Sequence, residues 1–430
     1  MKPPAPRLVH PSRPFVAAGL LVLGLWLPGA QAQDAPLGST LDGLLQFARE
    51  HNPELRVRAL EAEAAHERVE PAAALPDPKF QLELMDFTNA MSGGNTSLLP
   101  GEVGQTRYRV IQPLPFWGKR ELRGALAETL AGQSDTRRET TALAIEAAIK
   151  TGHARHYQAA GQARIVRETL ALVEALERLV LTRYGVGLVP QQDAVRAQSE
   201  ITALKVELVE AERRRRDAAA RLNAQLARDA EAALDEPQAL PPDPDDLTFA
   251  ALFARARERS PELARERLGI EAAEKGKDLT WLNRYPDFAV GLTNNRPRNG
   301  DDNWDLMLEV NIPLQQSARR AQEREALRRL EAARVGVTAA EARLNGRLGE
   351  TFAAWQANRD KSRLLRDTLL PQARATLDAA QAGYESGQVN FNTLIEAERQ
   401  ILRTRLALLD AEVEAAVRRA ELEQLVGVPL

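Results

Sequence analysis

The chain has 430 residues, with 57 Lys and Arg against 60 Asp and Glu, no cysteine and only 5% aromatic side chains. So few Phe, Trp and Tyr would fill two or three compact cores poorly, whereas an Ala-, Leu-, Glu- and Arg-rich composition suits long helices. The balanced charge argues against a nucleic-acid protein, and zero cysteine excludes disulfides, thiolate metal sites, Cys nucleophiles and lipid attachment through Cys.

Lys2, Arg7 and Arg13 precede an apolar run from Phe15 to Leu27, and Ala30-Gln31-Ala32 follows with small residues where a signal peptidase cuts. Residues 1–32 therefore read as a cleaved secretory signal, with the mature chain starting near Gln33. The run falls short of the ~20 apolar residues that a spanning helix needs. No later segment comes closer, which excludes an inner-membrane pump. Loss of three positive charges takes the net charge from −3 to −6.

The mature chain is written twice. Ala48-Arg49-Glu50-His51-Asn52-Pro53-Glu54-Leu55 recurs as Ala256-Arg257-Glu258-Arg259-Ser260-Pro261-Glu262-Leu263, and Pro113-Leu114 recurs as Pro313-Leu314. Tyr184, Gly187 and Val189 recur at the same spacing as Tyr384, Gly387 and Val389. The expected organisation is a first repeat over 33–236, a proline-rich linker over 237–246 and a second repeat over 247–430. Each repeat should hold a helix, a β-hairpin (79–113 and 287–313) and a long helical hairpin with its tip near 184–193 or 384–393.

Proline-free stretches such as Phe116 to Val189 and Leu314 to Leu370 are far longer than ordinary globular helices. Ala194, Ala197, Ile201, Leu204, Leu208 and Ala211 step by threes and fours, and Leu394, Ala397, Ile401, Thr404, Leu408 and Ala411 repeat the pattern. A stripe this narrow and Ala-rich predicts coiled-coil seams with close helix packing.

Ahead of the long helices the period falls to two. Phe80, Leu82 and Leu84 alternate with Gln81 and Glu83, and Tyr108 and Val110 alternate with Arg107 and Arg109. Phe288, Val290 and Leu292 alternate with small or polar neighbours, and Trp304, Leu306, Leu308 and Val310 alternate with Asp305, Met307 and Glu309. Trp117, Trp281 and Trp304 flank or begin these strands with Phe116, Tyr285 and Phe288, as an aromatic girdle at a membrane interface would. Four strands cannot close a barrel, and an open sheet leaves unsatisfied edges in lipid. Three chains would supply twelve strands, with Arg107 and Arg109 facing a watery lumen.

These features resemble the TolC-like outer-membrane efflux proteins over essentially the whole mature chain. The signs are the duplicated order of elements, Leu75-Pro76-Asp77-Pro78 before the first strand, Gln112-Pro113 and Gly118-Lys119-Arg120 after the second, and Tyr-x-x-Gly-x-Val at the tips. The Leu-Pro-Asp-Pro and Gly-Lys-Arg segments are most similar to the heavy-metal-efflux branch. The resemblance implies a mainly α fold with a membrane β-barrel: a homotrimer whose twelve-stranded barrel sits in outer-membrane lipid above a periplasmic helical tunnel. It implies a passive duct, not an enzyme, working with a periplasmic adaptor and an inner-membrane pump of the resistance-nodulation-division type. Metal ions, drugs and secreted polypeptides are alternative cargoes. A periplasmic coiled-coil adaptor or spacer is the competing class, but it should carry one helical hairpin within a lipoyl-like β-domain.

Candidate sites follow from the tips and the resemblance. Gly185, Gly187 and Gly387 permit tight reversals, and Val186, Leu188, Val189 and Val389 are expected to expose apolar groups. The resemblance implies that Val186, Gly187, Leu188, Val189, Gly387, Gln388 and Val389 meet the adaptor. It also implies that Asp193 and Tyr384 hold the periplasmic end closed, and that Glu396 contributes to a ring of three lumen carboxylates. The arginine that relatives place in this lock is Val389 here, leaving a hydrogen-bonded Tyr384–Asp193 contact to act alone or with another residue. No catalytic residue, cofactor or metal site is expected: His153 and His156 lack further ligands and read as solvated helix residues. Met85, Met91 and Met307 are too few and too scattered for a copper relay. The run Arg213 to Arg216, bracketed by Glu212 and Asp217, reads as a solvated or ion-paired helix face rather than a nucleic-acid contact.

Overall fold

The computed structural model describes residues 37–430 apart from 92, 243, 245 and 246; the expected signal peptide and part of the linker lie outside the described residues. The elements come in the same order twice. Helices α1 (Leu41–His51), α2 (Pro53–Glu67) and α3 (Val69–Ala73) lead to strands β1 (Lys79–Met85) and β2 (Gln105–Leu114), then to α4 (Lys119–Gly185) and α5 (Gln191–Gln225). The second set is α6 (Phe249–Arg259), α7 (Pro261–Leu282), β3 (Asp287–Pro297), β4 (Asn303–Asn311), α8 (Gln316–Leu364), a π-turn (Leu365–Leu369), α9 (Leu370–Glu385) and α10 (Phe391–Val426).

The duplicated octapeptide is a helix junction. Pro53 and Pro261 cannot continue the preceding helix but suit the first position of the next one, and Asn52 and Ser260 occupy the N-cap positions. The Asn52 side chain accepts from the Glu54 N–H at 2.9 Å. Helix α4 runs unbroken for 67 residues, which at ~1.5 Å per residue is about 100 Å. Its counterpart is interrupted because Pro371 stands where α4 has Ala171. Proline offers no N–H and its ring crowds the carbonyl four residues back, and just before it the Leu370 N–H bonds the Leu365 carbonyl, five residues back.

The two helical hairpins share one core. Ala194, Ala197, Ile201, Leu204 and Ala211 of α5 are buried, as are Leu394, Ala397, Ile401, Thr404 and Ala411 of α10, while Leu208 and Leu408 are half-buried. Thr404 spends its hydroxyl on the Gln400 carbonyl at 2.7 Å, so it costs the seam no unpaired donor. At Gly161 a Cβ would come within 2.8 Å of a Leu409 methyl, which shows how closely α4 and α10 approach. Two smaller clusters lie further along: Leu252, Leu344, Leu348, Trp355 and Leu422 form one, and Leu44, Ile149, Leu222 and Leu226 form the other.

His153 and His156 correct the expectation of solvated helix residues. Both are buried, and the His156 Nε2 lies 3.4 Å from the Asp235 carbonyl. The reason is the end of the first repeat and the start of the linker, which run back beside α4: the Asp235 N–H donates to the Leu37 carbonyl at 3.0 Å, and Leu240 of the linker packs against the shared core. Burial, with His156 nearby, lowers the His153 pKa to about 4, and burial is also the main cause that lowers that of His156. Among the described residues no group of three or more metal-ligating side chains converges.

The strands form one antiparallel sheet in the order β1-β2-β3-β4. Its register puts Phe80, Val110, Leu292 and Leu306 in one row across all four strands, and Gln81, Arg109, Thr293 and Asp305 in the next. Rows of apolar and polar side chains therefore alternate, and because successive residues point to opposite sides, the sheet has one apolar and one polar face.

Candidate functional site

On the apolar face Phe80, Leu82, Val110, Leu292, Trp304, Leu306, Leu308 and Val310 are all exposed. Nothing else in the described chain covers them, so this face calls for a nonaqueous neighbour. The polar face is knitted together by its own side chains. Arg107 donates to Glu83 at 3.0 Å and to Asn295 at 2.9 Å, Arg109 donates to Thr293 at 3.2 Å, and Asn295 donates to Asn303 at 2.7 Å. Arginines cannot face hydrocarbon without partners, so this is the wet side. β1 and β4 have no partner on their outer edges among the described residues.

The Gly118-Lys119-Arg120 segment anchors the sheet to the helices. Lys119, with its side chain 3% exposed, donates to Asp287 at 2.8 Å and to the Tyr285 carbonyl at 3.2 Å, while the Phe116 N–H donates to the same Asp287 oxygen at 2.8 Å. Arg120 holds the Ala73 carbonyl at 3.0 Å. One motif thus ties the start of α4 to α3 and to the root of β3. Around it Phe116 stacks on Tyr285 at 4.6 Å, Trp117 sits 5.8 Å from Phe288 and Trp281 sits 5.4 Å from Tyr285. Trp304 lies in the row of Leu82, Tyr108 and Asn294, nearer the other end of the sheet.

At the far ends of the helical hairpins, Gly187 and Gly387 adopt φ of +75° and +76°. Each closes a turn in which its own N–H donates to a tyrosine carbonyl, Tyr184 at 2.9 Å and Tyr384 at 3.1 Å. Gly185 takes no part in the left-handed turn; it is the last residue of α4. Val186 and Leu188 are exposed, as are Gly387 and Gln388. Val189 and Val389 depart from expectation: both are half-buried and packed against the shared core. Each immediately precedes the N-cap of a helix whose core-facing residues, Ala194 and Ala197 in α5 and Leu394 and Ala397 in α10, join the same cluster, a feature that composition cannot reveal.

Tyr384 is 3% exposed, and its ring is 5.6 Å from that of Phe391. Its hydroxyl has no hydrogen-bond partner, so the expected Tyr384–Asp193 bond is not formed within the chain. The two are nonetheless close enough to interact: burial first, and then the Asp193 charge, raise the tyrosine pKa, with Arg183 opposing. Burial also raises the pKa of Asp193 against the pull of Arg196. Arg183 escaped the sequence reading. It donates to the Tyr384 carbonyl at 2.8 Å and lies 5.4 Å from the ring centre, linking one tip to the other. Its signal was available, because Gly383 holds the equivalent place in the second repeat.

Glu396 is exposed and bonds Arg399 at 2.9 Å, and Arg399 also bonds Glu200 of α5 at 2.5 Å. Two turns and more from the tip, the two hairpins are therefore pinned by a carboxylate–guanidinium–carboxylate chain. The run Arg213 to Arg216 is an ion-paired helix face: Arg213 bonds Glu210 at 2.9 Å and Asp217 at 2.5 Å, and Arg215 bonds Glu212 at 2.9 Å.

A sheet with a lipid-compatible face, fixed to long helical hairpins by a buried lysine and an aromatic belt, defines a membrane-embedded β-barrel component carrying a helical extension. The chain belongs to the outer membrane efflux protein family, whose model matches residues 44–228 and 252–428. It is 25% identical over 399 residues to the cobalt-zinc-cadmium resistance protein CzcC of Cupriavidus metallidurans, covering 90% of each chain. Its fold is similar to that of CusC, with a TM-score of 0.76 at 16% identity over 93% of this chain and 96% of CusC. The outer membrane protein VceC of Vibrio cholerae matches with a TM-score of 0.75 at 16% identity over 90% of this chain and 96% of VceC. The chain is thus an outer-membrane efflux protein by family, with the fold of the outer-membrane channels it matches.

Proposed function

We propose that three copies of the chain close a twelve-stranded barrel over a helical tunnel and serve as the passive exit duct of a tripartite efflux system for heavy-metal cations. The observation that carries this reading is the four-stranded sheet, open on both edges, apolar on one side and hydrogen-bonded through charged side chains on the other. A sheet of this kind is tenable in lipid only when its edges are paired, and neighbouring copies are the simplest source of matching edges. The similarity to CzcC favours metal cations over drugs or polypeptides as cargo. Val186, Gly187 and Leu188 on one tip and Gly387 and Gln388 on the other are the surface offered to a periplasmic adaptor, which couples the duct to an inner-membrane pump of the resistance-nodulation-division type. Val189 and Val389 act beneath that surface by seating the tips on the core.

In this reading Asp193, Tyr384 and Arg183 hold the periplasmic end closed, with Arg183 supplying the cation that Val389 lacks. The Tyr384 hydroxyl, buried within the chain without a partner, meets Asp193 through charge rather than through a hydrogen bond. Glu396 contributes to a carboxylate ring whose field is moderated by Arg399. The test is direct. The outer-membrane fraction should yield a heat-resistant trimer, and deletion of the gene should sensitise the host to cobalt, zinc or cadmium and leave drug tolerance unchanged. A soluble periplasmic monomer would defeat the duct; unchanged metal tolerance with new drug sensitivity would defeat the cargo. Asp193→Ala should raise the conductance of the trimer in planar bilayers.

A further inference from the structure

Glu398 of α10 is an acid for which the duct, the gate and the tips provide no role. Its side chain is 3% exposed, on the same stretch of α10 as the buried core residues Leu394, Ile395, Ala397 and Leu402. One of its carboxylate oxygens, Oε2, is buried without a hydrogen-bond partner. The charged groups that face it are already engaged. Arg405 of its own helix is held by Glu168 of α4 at 2.5 Å, and Glu200 of α5 is held by Arg399 at 2.5 Å. At the equivalent position of the first repeat stands Gln198, exposed and uncharged. Copy two thus buries an acid in the shared core where copy one exposes a neutral amide.

Such a placement has a defined consequence, because a carboxylate taken out of water without a full set of donors favours its neutral form. Burial pushes the Glu398 pKa up to about 6, with Arg405 opposing and Glu200 adding to the rise.

We propose that Glu398 is a proton-sensitive latch of the channel: close packing of α10 against the first hairpin requires its neutral carboxyl, and ionisation favours the arrangement in which the hairpins part. The inference rests on the channel reading above. The sign follows from the raised value. Protonation supports the closed packing in full below the ordinary glutamate range near 4.5, and that support is lost as pH rises through about 6. Opening is therefore easier on the alkaline side.

The experiment uses the full mature trimer in planar bilayers, with potassium chloride as the conducting salt, between pH 5 and 8. The open fraction of the wild type should rise by on the order of tenfold across pH 6, since one pKa unit corresponds to a factor of ten in the coupled equilibrium. Glu398→Gln should hold the low-pH open fraction throughout. Gln198→Ala, at the exposed equivalent position of the first repeat, should keep the rise. A wild-type rise that persists in Glu398→Gln overturns the latch. A wild-type trimer that never conducts overturns the channel reading and the latch with it, whereas a trimer that conducts equally at every pH overturns the latch alone. A second readout needs no variant: hydrogen-exchange protection of α10 amides, corrected for intrinsic pH dependence, should fall several-fold between pH 5.5 and 7.5. Constant protection would overturn the proposal.

Discussion

The two helical tips share the motif Tyr-x-x-Gly-x-Val and the same left-handed glycine, yet they are not used alike. Tyr184 is 43% exposed and Tyr384 is 3% exposed. The residue that opens the descending helix is exposed Gln191 in the first tip and fully buried Phe391 in the second. Pro190 gives α5 no side-chain cap, whereas Asn390 accepts from the Thr393 N–H at 3.1 Å. Arg183 of the first tip reaches across to the Tyr384 carbonyl, whereas its equivalent in the second, Gly383, has no side chain and lies against Val389. A duplicated turn has therefore kept its backbone geometry while its side chains diverged. Both tips seat their valine on the core, but the first keeps Tyr184, Val186 and Leu188 outward, whereas the second turns Tyr384 and Phe391 inward as an anchor.

The strongest way to break this comparison is at the exposed side. Leu188→Asp and Gly187→Pro should abolish metal export while a heat-resistant trimer still forms, because Leu188 has little packing to lose and proline cannot adopt the positive φ of Gly187. Normal export from well-assembled variants would show that the first tip carries no docking surface. On the anchoring side, Phe391→Ala should destabilise the chain by roughly 3–5 kcal/mol, whereas Gln191→Ala at the matching position should stay within about 0.5 kcal/mol. Equal losses in thermal or denaturant unfolding would mean that the tips are equivalent after all.

Smaller effects sharpen the contrast. Asn390→Ala should cost about 1 kcal/mol by removing a helix cap, and no substitution at Pro190 has a side-chain cap to lose. Tyr384→Phe should change stability least, by no more than about 0.5 kcal/mol, because the hydroxyl has no partner in the chain. A loss of about 2 kcal/mol in unfolding free energy would show that the hydroxyl holds a bond in the assembled protein.

Much of this was legible in the residues. The β-hairpins, the seams at Ala194 to Ala211 and Leu394 to Ala411, and the Tyr-x-x-Gly turns follow from period and turn chemistry, which are local. The misses share one cause. His153 and His156 were expected to be solvated for want of further ligands, but the segment around Asp235, 79 positions beyond His156 in the chain, covers that face. Val189 and Val389 looked exposed because they belong to a turn, but the direction of a turn's side chains depends on the helices it joins. Arg183 and Glu398 were passed over because an arginine near a tip and a glutamate on a helix carry no signal until their neighbours across the hairpins are known.

The chain by itself determined its duplication, its helix and strand periods, its exclusion of cysteine chemistry and the alternation that makes one sheet face apolar. These depend on residues a few positions apart, so pattern alone expresses them. Tertiary structure alone decided which of two equivalent turns faces outward, which acid is buried without a partner, and how Lys119 joins the sheet to the helices through Asp287. The physical reason is that burial and ion pairing depend on what lies opposite a side chain. In this protein the opposing residue stands about two hundred positions away: Arg183 meets Tyr384, and Glu200 meets Arg399.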